Sequence, residues 1–123
     1  MNTYLLVGMG GFLGSIARYQ IGLFFLHRWG INFPYGTLTV NVLGSLCIGI
    51  LLGSVMKQNQ PLALFLATGF CGGFTTFSTF SMENIRFLEQ GNYLGALGYM
   101  AISLVGALGA CALGFLTINR LLP

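Results

Sequence analysis

Apolar residues run along this chain in four long blocks, separated only by short polar stretches. The blocks cover residues 4–26, 34–56, 61–82 and 93–116. Each is close to the ~20 residues a helix needs to cross a hydrocarbon core. Between them lie His27-Arg28-Trp29-Gly30-Ile31-Asn32, then Lys57-Gln58-Asn59-Gln60-Pro61, then Arg86 to Asn92. Pro34 and Pro61 stand where a helix start tolerates proline. Trp29, Tyr35 and Tyr93 fall at expected interfaces, where amphipathic rings are favoured. The pattern predicts an all-α membrane protein, one four-helix transmembrane domain over residues 1–123. Its first apolar run is too long for a signal-peptide core, so it is expected to stay as a membrane helix.

The third block is unlike the others. It carries Gly69-Phe70-Cys71-Gly72-Gly73-Phe74-Thr75-Thr76-Phe77-Ser78-Thr79-Phe80-Ser81 at membrane depth. Hydroxyls can bond back to the helix backbone, so serine and threonine alone are tolerable. A Gly-Gly pair followed by Thr-Thr is where the helix is expected to break. Non-helical backbone survives at that depth only if protein buries it or it lines a cavity. Such breaks often turn free carbonyls and helix ends toward an ion. A closely packed, kinked helix without a ligand is the plainer alternative.

Polar positions in the other blocks fall at helical spacing. In the second, Thr37, Asn41, Ser45, Gly49 and Gly53 recur every four residues and share one face. In the fourth, Tyr99, Ser103 and Ala107 do the same, and Gly10 and Gly14 make a small-xxx-small pair in the first. Close helix packing accounts for most of these positions. Asn41 is harder to assign to packing, because a carboxamide in hydrocarbon needs several partners.

Composition sharpens the class. The chain has 123 residues, 55% hydrophobic and 6% charged, with 19 glycines. Soluble domains are about 25% charged, so a water-facing globule is excluded, as is disorder. The net charge of +3 is too thinly spread for a nucleic-acid surface. Cys47, Cys71 and Cys111 lie in apolar runs without metal or redox spacing and are expected to be buried packing residues. By alternation, Lys57 and Arg120 fall on one side of the membrane and Arg28 and Arg86 on the other. The positive-inside rule gives no preference for two against two, which makes an antiparallel homodimer a serious expectation. Arg18 lies inside the first block, where a cation either snorkels or contacts a polar vestibule.

Catalytic chemistry is missing: His27 has no aspartate anywhere in the chain to orient it, and no phosphate cradle follows a strand. A proton-coupled exporter would want a buried carboxylate in its first or second helix, and none is there. Hydroxyls, a carboxamide and phenylalanine edges, which carry the positive part of the ring quadrupole, suit a small anion. Phe77 and Phe80 are three apart and therefore neighbours on one helical face. A structural membrane subunit, its polar stripes serving as helix glue, is the rival reading.

At this point a resemblance becomes specific. Gly11-Phe-Leu-Gly14-Ser-Ile-Ala-Arg18-Tyr19, Gly36-Thr37-Leu-Thr-Val-Asn41-Val-Leu-Gly44 and the Gly69 to Phe80 string look like those of the CrcB/Fluc fluoride channels. The resemblance spans essentially the whole chain. It implies a dual-topology antiparallel homodimer in the cell's inner membrane, passing fluoride passively outward through two pores. It implies a fluoride pathway at Thr37, Asn41, Phe77, Phe80, Tyr99 and Ser103, with Arg18 at the vestibule and Glu83 beyond the phenylalanines. It also implies a structural Na⁺ at the dimer centre, held by the backbone carbonyls of Gly72 and Thr75. Ala107 stands where some members carry a serine, one donor fewer at that end of the track.

Overall fold

The computed structural model describes residues 2–122, nearly all of them helical. In chain order the helices are α1 (Thr3–Trp29), α2 (Tyr35–Gly53), α3 (Gln60–Ala63), α4 (Gly72–Phe74), α5 (Phe77–Glu89) and α6 (Tyr93–Leu121). Between α3 and α4 the chain stays helical but under-wound over Leu64–Cys71. There the Gly72 N–H reaches the Ala67 carbonyl, five residues back. Widened turns of this kind cluster at functional places in helices.

Helix starts are written in side chains. Asn2, Asn59 and Asn92 each turn an oxygen onto an early backbone N–H of α1, α3 and α6, at 2.9, 3.0 and 2.8 Å. Gly91, with φ +72°, makes the tight reversal from α5 into α6 that a side chain would strain.

Among the described residues, three helical stretches are long and apolar enough to cross a membrane: Tyr35–Gly53, Gln60–Glu89 and Tyr93–Leu121. α1 is long enough at 27 residues, but Arg18 and Gln20 dilute its apolar character. The chain is thus an all-α, multi-pass membrane protein with a bent third element.

Glycine sets the packing. Gly10 and Gly14 are buried in α1, and a Cβ on either would run into the Phe65 or Phe70 carbonyl of the under-wound stretch. Gly69 and Gly73 answer from the other side, against the Gly11 backbone. α2 meets α6 in the same manner, with Gly49 seated on the Cys111 carbonyl and Gly114 on that of Leu46. Backbones this close gain dispersion and lose little side-chain entropy, which is what holds helices together in lipid.

The bend separates two packing partners. Before it, the third element lies on α1; after it, α5 lies on α6. Phe80 and Phe87 of α5 pack on Tyr99 of α6, with ring centroids 5.1 and 6.0 Å apart. Tyr99 is fully buried there, with Phe33 against its edge.

The expected break is present at the Thr-Thr end of its string, and the burial of Cys47 needs correcting. The Gly72-Gly73 pair is helical, and the extended backbone falls at Thr75 (φ −89°, ψ 157°) and Thr76 (φ −153°, ψ 111°). Gly73 is there for its approach to α1, and the hydroxyl residues bend the chain. Cys47 is exposed on the isolated chain, although Cys71 is buried as expected. An apolar side chain facing outward is ordinary where the surroundings are lipid.

Candidate functional site: a groove at the helix break

A break in a helix strands backbone groups, and at membrane depth each needs a partner. Thr75 N–H and its hydroxyl both bond to the Cys71 carbonyl, at 3.0 and 2.9 Å. The Gly73 carbonyl accepts from Arg18 Nε at 2.9 Å. The Thr76 N–H, which a continuous helix would send to Gly72, goes instead to Asn41 Oδ1 at 2.7 Å. Asn41 Nδ2 returns a bond to the Thr76 carbonyl at 3.1 Å. The Thr76 hydroxyl then accepts the Thr79 N–H at 3.2 Å and caps α5. Among the described residues no backbone N–H reaches the carbonyls of Gly72 or Thr75.

An open groove of about 380 Å³ lies beside the break, walled by α2, α5 and α6. Asn41, Phe77, Phe80, Ser103 and Ala107 all line it. Phe77 and Phe80 sit with centroids 5.4 Å apart, and Phe77 is 79% exposed on the single chain. Ser103 is buried, and its hydroxyl has no hydrogen-bond partner. A buried hydroxyl without a partner costs free energy, and this one leaves a donor without an acceptor beside the groove.

A second cavity of about 290 Å³ opens at the α1–α2 end and takes in Thr37, Glu83 and Arg86. Tyr99 stands between the two spaces, its ring on Phe80 and its hydroxyl 3.4 Å from Glu83 Oε1. That is a long contact for two oxygens. Arg18 lines neither space. It borders a third, smaller cavity with Thr37, Thr76 and Thr79.

The expected pathway residues therefore form two groups linked through Tyr99: Asn41, Phe77, Phe80 and Ser103 on one side, Thr37 and Glu83 on the other. Sequence reading missed Asn84, which is buried, donates to the Phe80 carbonyl at 2.9 Å and leaves its Oδ1 without a partner. Its place one turn beyond Phe80 is the signal that could have found it. Thr76 was read as one hydroxyl among several, whereas its backbone is what α2 holds. Among the described residues, no group of His, Cys, Asp or Glu could hold a metal. Any cation here would have to rely on carbonyls.

Residues 5–115 match the family described as CrcB-like protein, Camphor Resistance (CrcB). The chain is 45% identical over 117 residues to the "Fluoride-specific ion channel FluC" of Chloroflexus aurantiacus, covering 93% of each protein. Against the protein of the same name from Gloeothece citriformis it is 45% identical, over 98% of this chain and 99% of that one. With that of Rhizobium meliloti it shares 48% over 106 residues, 84% of this chain and 85% of the other.

Proposed function

We infer that this chain, which belongs to the CrcB family of membrane proteins, is a fluoride-selective ion channel. It lets fluoride leave the cell passively, lowering its concentration and toxicity inside, and it is not an enzyme. The observation that carries the reading at the site is the unpartnered Ser103 hydroxyl, buried in the groove that Phe77 and Phe80 line. Fluoride is small and strongly hydrated, so a path for it must replace water with donors. Ser103 offers an O–H, Asn41 lies on the same groove, and the phenylalanine edges add weak positive charge. Weak, distributed donors let an ion enter without trapping it. Chloride, larger and a poorer acceptor, gains less from the same groups. Tyr99, Thr37 and Glu83 continue the polar track past the aromatic rings, and Arg18 lies at the side of the break.

The full assembly in this reading is an antiparallel, dual-topology homodimer in the inner membrane, with α1 as a fourth crossing. Two basic residues on each side and a largely exposed Phe77 support it. A structural Na⁺ at the dimer centre would be held by the Gly72 and Thr75 carbonyls. Those oxygens fit the role, since no backbone N–H takes them up. The ion would neutralise carbonyl dipoles that the break leaves without a backbone donor.

Fluoride efflux from proteoliposomes, read with a fluoride electrode beside a matched chloride run, tests the function. Fast, downhill, fluoride-only release under a valinomycin-set potential is expected. No release from well-folded protein would favour a structural subunit, and pH-driven uphill movement would favour an exporter.

A further inference from the structure

We propose that Asn41 serves conduction through Thr76, as a positioning residue that fixes the start of the helix carrying Phe77 and Phe80. The role in conduction rests on the channel reading above; the pairing itself stands on geometry. Both ends of the carboxamide engage one residue, Oδ1 taking the Thr76 N–H and Nδ2 giving to the Thr76 carbonyl. A carboxamide has the donor and acceptor of a peptide group, so Asn41 stands in for the helical neighbours that Thr76 lost. Thr76 in turn caps α5, whose first residue is Phe77. Any change in the Thr76 backbone therefore swings both rings. One turn further along α2, Gly44 lies so close to Thr75 that a Cβ would collide with its methyl. α2 thus grips both extended residues of the break. The hydroxyl left without a partner is that of Ser103, and it remains for the ion.

The test is Asn41→Asp in proteoliposomes between pH 7.5 and pH 5, with the unmodified protein in parallel. Protein-free vesicles at each pH subtract the leak of hydrogen fluoride. Ionised aspartate accepts from the Thr76 N–H but sets a negative oxygen against the Thr76 carbonyl and beside the anion's path, so flux falls at least about tenfold. Protonated aspartate restores both bonds, O–H to carbonyl and carbonyl to N–H, yet has no spare N–H for an ion. The other titratable groups near the break or along the track are Cys71 before it, Cys111 on the groove, Arg18 on the Gly73 carbonyl, and Glu83 with Tyr99 beyond the rings. The parallel run shows what they contribute. Recovery of most of the lost flux at low pH, with the Thr76 amide of the same variant protected again, is the expected result; flux that returns while that amide stays exposed would mean that charge alone was at fault and would overturn the positioning role. A variant silent at every pH, beside a conducting unmodified protein, would mean that the ion needs the spare N–H.

A second readout does not depend on flux. Hydrogen exchange should find the Thr76 amide protected in the unmodified protein and exposed in Asn41→Ala. Fast exchange in the unmodified protein overturns the clamp. An unmodified protein that passes no fluoride sinks the channel reading, and the Thr76 amide still decides the pairing.

Discussion

Asn41 and Thr76 are joined across two helices by a two-point pairing, side-chain amide against backbone amide, at 2.7 and 3.1 Å. Replacing Asn41 by leucine keeps the bulk and removes both bonds, leaving two half-buried backbone groups unpaired. The expected loss is about 2–3 kcal/mol, read as a lower thermal midpoint in detergent.

Ser103→Ala should separate stability from conduction. Its hydroxyl is buried and unpartnered, so removing it leaves stability unchanged or raises it by up to ~1 kcal/mol, while fluoride flux falls. Ser54→Ala is the control, because the Ser54 hydroxyl is tied to the Ile50 carbonyl at 2.7 Å, away from the groove. Equal flux from both variants would remove Ser103 from the pathway.

Phe80 lies between Phe77 and Tyr99, its centroid 5.4 and 5.1 Å from theirs. Phe80→Ile keeps an apolar side chain but loses the ring edge. Stability should change by no more than about 1.5 kcal/mol, and flux should fall by at least about tenfold if the edge contributes ~1.4 kcal/mol to passage. Electrode traces from matched protein loads would show it.

Two glycines of α1 should behave oppositely. Gly14→Ala drives a methyl into the Phe70 carbonyl and should cost about 1–3 kcal/mol. Gly8→Ala meets nothing within 4 Å and should gain about 0.5–1 kcal/mol from better helix propensity. Parallel thermal denaturation of the two compares a tight helix crossing with a free surface.

Exchanging Na⁺ for a bulky organic cation should lower the thermal midpoint of the assembled protein, because the Gly72 and Thr75 carbonyls would then be left without a counter-charge. A midpoint indifferent to the cation would argue against a sodium site.

Much of this architecture could be read from residue pattern, for reasons that differ along the chain. Helix positions follow from apolar length, and the Gly10–Gly14 pair marks a crossing because only small residues allow one. The break was legible as a region but not as a residue. Gly72 and Gly73 look like the weak point, yet both are helical, Gly73 lying against Gly11 of α1, and the bend moves on to Thr75 and Thr76. The under-winding over Leu64–Cys71 left no trace in composition, since it answers to the partner helix rather than to local propensity. Asn41 stood out as a polar group needing partners, but spacing could not say that its partner is a backbone amide 35 residues away.

The change of partner at the bend also sets an order of assembly. α1 and the first half of the third element can join as soon as both have left the ribosome, but α5 and α2 both rest mainly on α6, which is made last. The groove therefore has no far wall, and Phe80 no ring to lean on, until the final stretch of chain is inserted. A nascent chain halted before Tyr93 would hold a closed glycine crossing beside an unfinished passage.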